Sequence, residues 1–246
     1  HRTGGKQAYA EWAHIIGLFQ SLIATNLPAG EARRILDIGC GSGLLGLAAQ
    51  PLLAPDDRYT GLDTQVGEIA FCKRHYAELP GLDFLHHSHA NPFYSPEGRE
   101  RSAWEIEDGT IDLVTALSVW THLDESDGRF LVGEVGRVLK PGGRAIVTAF
   151  LLDRDYDPER IAHGETVSTH NTPRAQWIFD RPTRGSDHWF HPAWAEDVPE
   201  QAIAIDGAGL EALCAEGGLR LAAHWPGHWK QQPGLYFQDV LVFEKG

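Results

Sequence analysis

Residues 35–43 read Ile-Leu-Asp-Ile-Gly-Cys-Gly-Ser-Gly, and a second acid, Asp63, closes the next apolar run, Arg58-Tyr-Thr-Gly-Leu-Asp. An apolar stretch that stops at Gly39, Gly41 and Gly43 reads as a buried strand turning into a helix. Glycine there frees the backbone for positive φ and lets a ligand approach without meeting a Cβ. The unpaired N–H groups of the following helix face back onto that turn. An acid placed like Asp63 suits acceptance of two ribose hydroxyls. The expected chemistry is the binding of a nucleoside-type cofactor, with Thr64 and Gln65 as further candidates for contact.

The turn alone leaves the cofactor open, because Gly41-x-Gly43-x-x-Gly46 also meets the dinucleotide fingerprint, a weak signal by itself. The surrounding residues narrow the choice. Asp37-x-Gly39-x-Gly41-x-Gly43 resembles motif I of the class I S-adenosylmethionine-dependent methyltransferases. Ile111-Asp-Leu-Val-Thr-Ala-Leu-Ser-Val-Trp-Thr-His-Leu123 resembles that family's fourth strand and the loop after it. Arg137-Val-Leu-Lys-Pro-Gly-Gly-Arg-Ala-Ile-Val-Thr148 resembles the helix end, tight turn and fifth strand that follow. The resemblance implies S-adenosylmethionine as cofactor, with Asp37 near its amino-acid end, Asp63 on the ribose and Leu117 beside the methyl group. Many relatives place an Asp against the adenine amino group where this chain has Ser88-His89-Ala90-Asn91. Ser88, His89 or a backbone carbonyl would have to make that contact.

Methyl transfer from a sulfonium is an in-line displacement that depends mostly on positioning, with a base where the acceptor must lose a proton. His122 is the candidate general base, since imidazole titrates near neutral pH; as a bland alternative it caps or packs the next helix. Trp120 is a candidate wall for the sulfonium through a cation–π contact. Tyr94, in the turn-forming run Asn91-Pro-Phe-Tyr-Ser-Pro-Glu-Gly98, is a candidate for facing the acceptor. Further along, His163, His170, Trp177, His188, Trp189, His191 and Trp194 make an aromatic, hydrogen-bonding stretch, and Trp229 lies before the last strand. His188, Trp189, His191 and Trp229 are taken as acceptor-pocket residues. His188-Trp-Phe-His191 has ligand-like spacing, but no cysteine or carboxylate set completes a zinc site, so no metal is expected.

These residues need a scaffold. The spacing predicts an amphipathic helix over 8–27, strands near 34–38, 58–62, 82–87, 111–117 and 143–151, and helices near 43–50, 65–78 and 127–139. That alternation predicts an α/β, doubly wound, mostly parallel sheet with the ligand at the carboxyl ends of its strands. A helix over 207–216 and strands over 219–225 and 236–243 complete the pattern. The resemblance makes this seven strands, the last inserted antiparallel. The irregular segment 153–200, too long for an idle loop, is read as an insertion after strand five that covers the active site. The chain is taken as a single domain, 1–246, with an N-terminal helical segment over 1–30.

Composition sets outer limits. Of 246 residues 42% are hydrophobic, enough for a substantial core, and 34 acidic against 21 basic side chains give a formal net charge of -13. That balance argues against nucleic acid, whose affinity comes from phosphate contacts. Cys40, Cys72 and Cys214 form neither a disulfide framework nor a zinc spacing, and suggest a cytoplasmic compartment. No run approaches membrane-spanning length. The expectation is a transferase that methylates a hydroxyl of a small molecule (a sugar, polyol or secondary metabolite), with no nucleic acid or membrane as partner and a homodimer left open. Methylation of nitrogen, a nicotinamide-dependent oxidoreductase and a non-catalytic cofactor-binding module are the alternatives.

Overall fold

In the computed structural model, residues 9–98, 101–164 and 177–246 are described. The apolar periodicity near the start becomes α1 (Tyr9–Asn26), which buries Ile15, Phe19, Leu22 and Ile23 along one stripe. That stripe lies on α2 (Leu44–Ala49), the helix entered from Gly43. The strands β1 (Arg34–Ile38), β2 (Arg58–Asp63), β3 (Leu82–His86), β4 (Ile111–Ala116) and β5 (Leu139–Leu152) form a parallel sheet in the order β3-β2-β1-β4-β5. Every residue of β4 is buried, as expected of a central strand covered on both faces.

Helices cover both faces. One carries α1, α2 and α3 (Val66–His75) over a cluster that includes Ile35, Tyr59 and Phe84. The other carries α4 (Glu125–Val138) and a late helix, α6 (Gly207–Gly217), over Leu36, Val114, Val135 and Leu213. The starts of α4 and α6 are fixed by side-chain caps: Asp124 accepts the N–H of Asp127 at 2.7 Å and Asp206 that of Gly209 at 2.8 Å.

Two late strands finish the sheet. β9 (Leu219–Trp225) and β10 (Asp239–Lys245) follow α6, and β10 runs antiparallel between β5 and β9. The path β3-β2-β1-β4-β5-β10-β9 is thus the expected seven strands with the last inserted antiparallel. The sheet is larger than expected, with ten strands among the described residues. The extra three are β6 (Arg181–Pro182), β7 (Trp189–His191) and β8 (Ala204–Asp206); β8 pairs parallel with the far end of β5, Phe150 opposite Ala204. The sequence suggests a short hairpin or helix in the insertion, but two- and three-residue strands carry almost no alternation from which to place them. The expected start of strand five near 143 also moves, since Lys140 to Gly143 form an irregularity inside β5 while pairing with β4 resumes at Arg144.

Between β5 and β8 the chain forms the short helix α5 (Pro158–His163), capped by Asp157, and a third apolar cluster. Phe150, Phe179 and Trp229 meet there with centroids 5.0 to 5.6 Å apart, joined by Trp177 and Phe237. Among the described residues no helix is long and apolar enough to cross a membrane.

Candidate active site

Sheet order reverses between β1 and β4, and the crevice outside their carboxyl ends is where a ligand is expected in such a sheet. A cavity of about 250 Å³ opens there, lined by the turn after β1, the end of β2 and the loops after β3 and β4. Gly39, Gly41 and Gly43 have φ of 64°, 50° and 80°, the left-handed conformation glycine takes at no steric cost. A Cβ on Gly39 would stand 2.6 Å from Val119 Cγ2, so the turn after β1 touches the loop after β4 across that missing side chain. A Cβ on Gly41 would meet nothing within 4 Å. Its backbone lies open to the cavity.

Asp63 ties this turn to α3. Its Oδ2 accepts the N–H of Gly41 and its Oδ1 that of Gln65, each at 2.8 Å. Burial pushes the carboxyl above its ordinary value, against the pull of those N–H groups. Asp37 lies deeper, at 1% exposure. Tyr59 donates its hydroxyl to Asp37 Oδ2 at 2.5 Å and Thr115 donates to Oδ1 at 2.7 Å. Burial pushes Asp37 up to about 7 against these two bonds, and the charge of Asp63 acts in the same direction as burial. With Glu68 these groups give the cavity an acidic floor, and no Lys or Arg is among its described lining residues.

The opposite wall carries His87, His89, Asn91, Tyr94, Trp104 and His122. His89 is buried, faces Asp127 Oδ1 at 3.4 Å and stacks on Phe130. His87 Nε2 is buried without a hydrogen-bond partner among the described residues. His122 Nδ1 lies 2.8 Å from the carbonyl oxygen of Glu200, and its Nε2 lies 3.3 Å from the Tyr94 hydroxyl. Burial pushes the His122 imidazole down to about 4, against the bond to Glu200.

The cavity therefore unites Asp37, Gly39, Gly41, Asp63, Thr64, His89, Leu117, Tyr94 and His122. It leaves out several expected residues. Gly43 does not line it; a Cβ there would meet Tyr76 Cε2 at 2.6 Å, so this glycine serves the packing of α3. Ser88 is also outside the lining. Trp120 opens a short 3₁₀ turn, Trp120–His122, that turns its indole into the core beside Val132 and Leu210. It does not wall the cavity.

The expected acceptor-pocket residues of the insertion, and Trp229 before the last strand, are corrected as a group. His188 is a surface residue, its side chain 41% exposed and paired with Asp206 at 3.0 Å. Trp189 and His191 share the buried face of β7. Trp189 packs against Gly128 and Gly209, and His191 Nδ1 donates to the Pro192 carbonyl at 3.1 Å. Trp229 is core, and its Nε1 donates to Asp239 Oδ2 at 2.8 Å. No described residue of the insertion lines the cavity, although Glu200 touches His122. His170, and part of the expected cover over 153–200, lie outside the described residues.

Sequence reasoning missed His87, Asn91, Trp104 and Ser118. Asn91 had a legible signal, as Asn before Pro commonly closes a turn with its own side chain. Ser118 had none. It takes φ 59°, and is held by a bond from its N–H to Thr148 Oγ1 at 2.7 Å and one from its hydroxyl to Gln238 Oε1 at 2.9 Å.

Asp153, His224 and Asp239 are close enough together to share a cation, but Lys230 already supplies one. Its ammonium lies 2.9 Å from Asp153 Oδ1 and 2.8 Å from Asp239 Oδ1. Burial pushes Asp239 up, yet the bond from His224 and the charge of Lys230 outweigh it and hold the carboxyl below its ordinary value.

Comparison with known proteins agrees with this architecture. A family described as a methyltransferase domain matches residues 36–145. A sterol 24-C-methyltransferase of Neurospora crassa is 29% identical over 148 residues, which cover 60% of this chain and 36% of that protein. A ubiquinone biosynthesis O-methyltransferase of Methylocella silvestris is 27% identical over 197 residues, 78% of this chain and 66% of that one. The chain thus spans about a third of the length of the first relative. Among solved structures, a SAM-dependent methyltransferase of Methanosarcina mazei superposes with a TM-score of 0.57 at 17% identity, covering 91% of this chain and 96% of its own. With its glycine turn, the acid closing β2 and the antiparallel last strand, the chain is similar in fold to SAM-dependent methyltransferases, and its residues 36–145 match the methyltransferase-domain family.

Proposed function

We propose that this protein transfers a methyl group from S-adenosylmethionine to a hydroxyl of a small molecule. The residues present fit that cofactor. Gly41 offers open backbone, Asp63 keeps acceptor lone pairs beyond its two N–H bonds for a sugar diol, and an acidic floor without Lys or Arg suits cationic groups. A pyrophosphate would meet the same carboxylates unfavourably, which speaks against the nicotinamide alternative. When bound, the cofactor supplies an electrophilic methyl group on a positively charged sulfur. Asp63 and the glycine turn hold it; Leu117, Val119 and Leu123 keep the cavity dry on the side of β4.

The observation that carries the choice of oxygen is the state of His122. A carbonyl oxygen only accepts, so Nδ1 of the neutral ring holds the proton and donates to Glu200, and Nε2 keeps a lone pair on the cavity wall. Burial keeps the ring neutral at physiological pH, and so weak a base takes the proton only as the hydroxyl turns strongly acidic during methylation. Relatives bearing O-methyltransferase names support the same acceptor chemistry.

The test is calorimetry with S-adenosylhomocysteine and with NAD, followed by transfer from methyl-labelled cofactor to panels of phenols, polyols and sugars, amines and isoprenoid alkenes. Homocysteine-form binding and a labelled ether are expected. Label appearing only on nitrogen or carbon would replace the hydroxyl reading, and tight binding of NAD alone would end it.

A further inference from the structure

Tyr94 and His122 belong to separate loops, after β3 and after β4, and one buried side chain fastens them together. Asn91 Oδ1 accepts the N–H of Phe93 at 3.0 Å and of Tyr94 at 2.9 Å, while Asn91 Nδ2 donates to the carbonyl of His122 at 2.9 Å. Paired backbone bonds between Asn91 and Ser95 close the same turn. Phe93 then stacks on the imidazole, with centroids 5.7 Å and planes 18° apart, and Tyr94 meets the imidazole edge-on at 4.9 Å. This is a built arrangement. The ring is fixed on one side by the Glu200 carbonyl, on its face by Phe93 and at Nε2 by the phenol.

The direction of the hydrogen bonds follows from what each atom can do. With its proton on Nδ1, His122 can only accept at Nε2, so the Tyr94 hydroxyl 3.3 Å away donates to it. A bond of that length is open to tightening once the acceptor is seated. The phenol oxygen then has its own lone pairs free for a donor arriving in the cavity, which both residues line. Nε2 itself is covered by the phenol.

The geometry points to Tyr94 as the catalytic residue that receives the acceptor's hydroxyl proton while passing its own to His122 Nε2. This rests on the hydroxyl-methylating reading above. The acceptor oxygen forms its bond to the methyl carbon as the carbon–sulfur bond breaks with its electron pair left on sulfur, and the displaced proton ends on Nε2 through the phenol. One positive charge leaves sulfur and one arrives on the imidazole, so the cavity's net charge does not change. Tyr94 is restored within the step, and the imidazolium, poorly tolerated where it is buried, returns its proton to solvent.

The relay is testable first on the protein alone. Nitrogen-15 NMR of the imidazole should show the Nδ1–H tautomer for His122, and Tyr94→Phe should shift the Nε2 resonance toward that of a free lone pair. An Nε2–H tautomer in the wild type, or an Nε2 resonance indifferent to Tyr94→Phe, overturns the proposal. In turnover with an oxygen acceptor, Tyr94→Phe should lower kcat about 100-fold, with KM and homocysteine-form affinity little changed. The double variant Tyr94→Phe/His122→Gln should be no slower than His122→Gln alone, since both changes break one relay. Full kcat in Tyr94→Phe, or additive losses in the double variant, would also overturn it. Failure of the parent reading has a different signature: wild-type protein that labels no oxygen acceptor.

Discussion

The loops after β3 and β4 and the segment between α5 and β8 carry the same kinds of side chain. In the loops, His87, His89, Tyr94 and His122 turn toward one cavity. In the segment, Trp177, Phe179, Trp189 and His191 turn inward and pack, and His188 turns out to solvent. The difference lies in where each stretch leaves the sheet. The loops spring from the carboxyl ends of parallel strands at the reversal point, where side chains converge on a crevice. The segment instead adds short strands beyond the end of β5, and such strands become stable only by burying one face. Histidine and tryptophan therefore line a cavity in one place and fill a core in the other.

The largest effect is expected beneath the packed segment, at Asp239 of β10, which holds Trp229 against Phe179. Asp239→Ala leaves the buried Lys230 ammonium with Asp153 as its remaining carboxylate partner, and denaturant unfolding should show a loss of about 3–5 kcal/mol. A loss below 1 kcal/mol would mean that the network contributes little. At the cavity, His122→Ala should lower turnover about 100-fold, roughly 2.7 kcal/mol of barrier, with cofactor affinity nearly intact. Equal turnover would make His122 as structural as His191.

Acid sharpens the contrast without changing the fold. His122 holds its proton less tightly when folded, at about 4 against an ordinary value of 6.5. Above pH 6.5 it contributes nothing; as pH falls toward 4 the unfolded chain takes up a proton that the folded chain refuses, removing up to about 3 kcal/mol. His188, raised by its bond to Asp206, acts in reverse, adding stability below its unfolded value and losing it as pH rises. Asp37, raised to about 7, costs stability as pH climbs from 4 to 7, so wild-type curves mix these terms. Stability differences between wild type and His122→Gln, followed from pH 7 to 4, isolate the first; a flat difference would contradict it.

Two smaller effects complete the series. Asp63→Ala should weaken homocysteine-form binding by about 1–3 kcal/mol, the range for leaving buried polar groups unmatched; unchanged affinity in calorimetry would remove Asp63 from the ribose. His188→Ala should leave both kcat and stability little changed, as befits an exposed pair. A clear drop in kcat there would return the insertion to the active site.

Much of the scaffold was legible because its signals are periodic or punctuated. The strand of Ile35–Ile38 stops at glycine, Asp63 ends an apolar run, and α1 shows its stripe. The glycine turn and the acid that borders it follow directly from those marks. The facing wall is legible only in fragments. Tyr94 and His122 could be named singly, but Asn91, whose turn is legible, joins them through one hydrogen bond to His122, 31 residues on, that no local pattern encodes. Trp189 and Trp229 were misplaced because an indole looks the same in sequence whether it fills a core or lines a pocket. Ser118 was illegible, since its left-handed backbone is imposed by distant Thr148 and Gln238.

The close approach of Gly39 to Val119 has a mechanical result. Any larger residue at 39 must push Val119 aside, and the Val119 carbonyl accepts the N–H of His122 at 3.0 Å. A side chain at 39 would thus press, through Val119, on the backbone that carries His122, so the turn after β1 and the loop after β4 can shift only together.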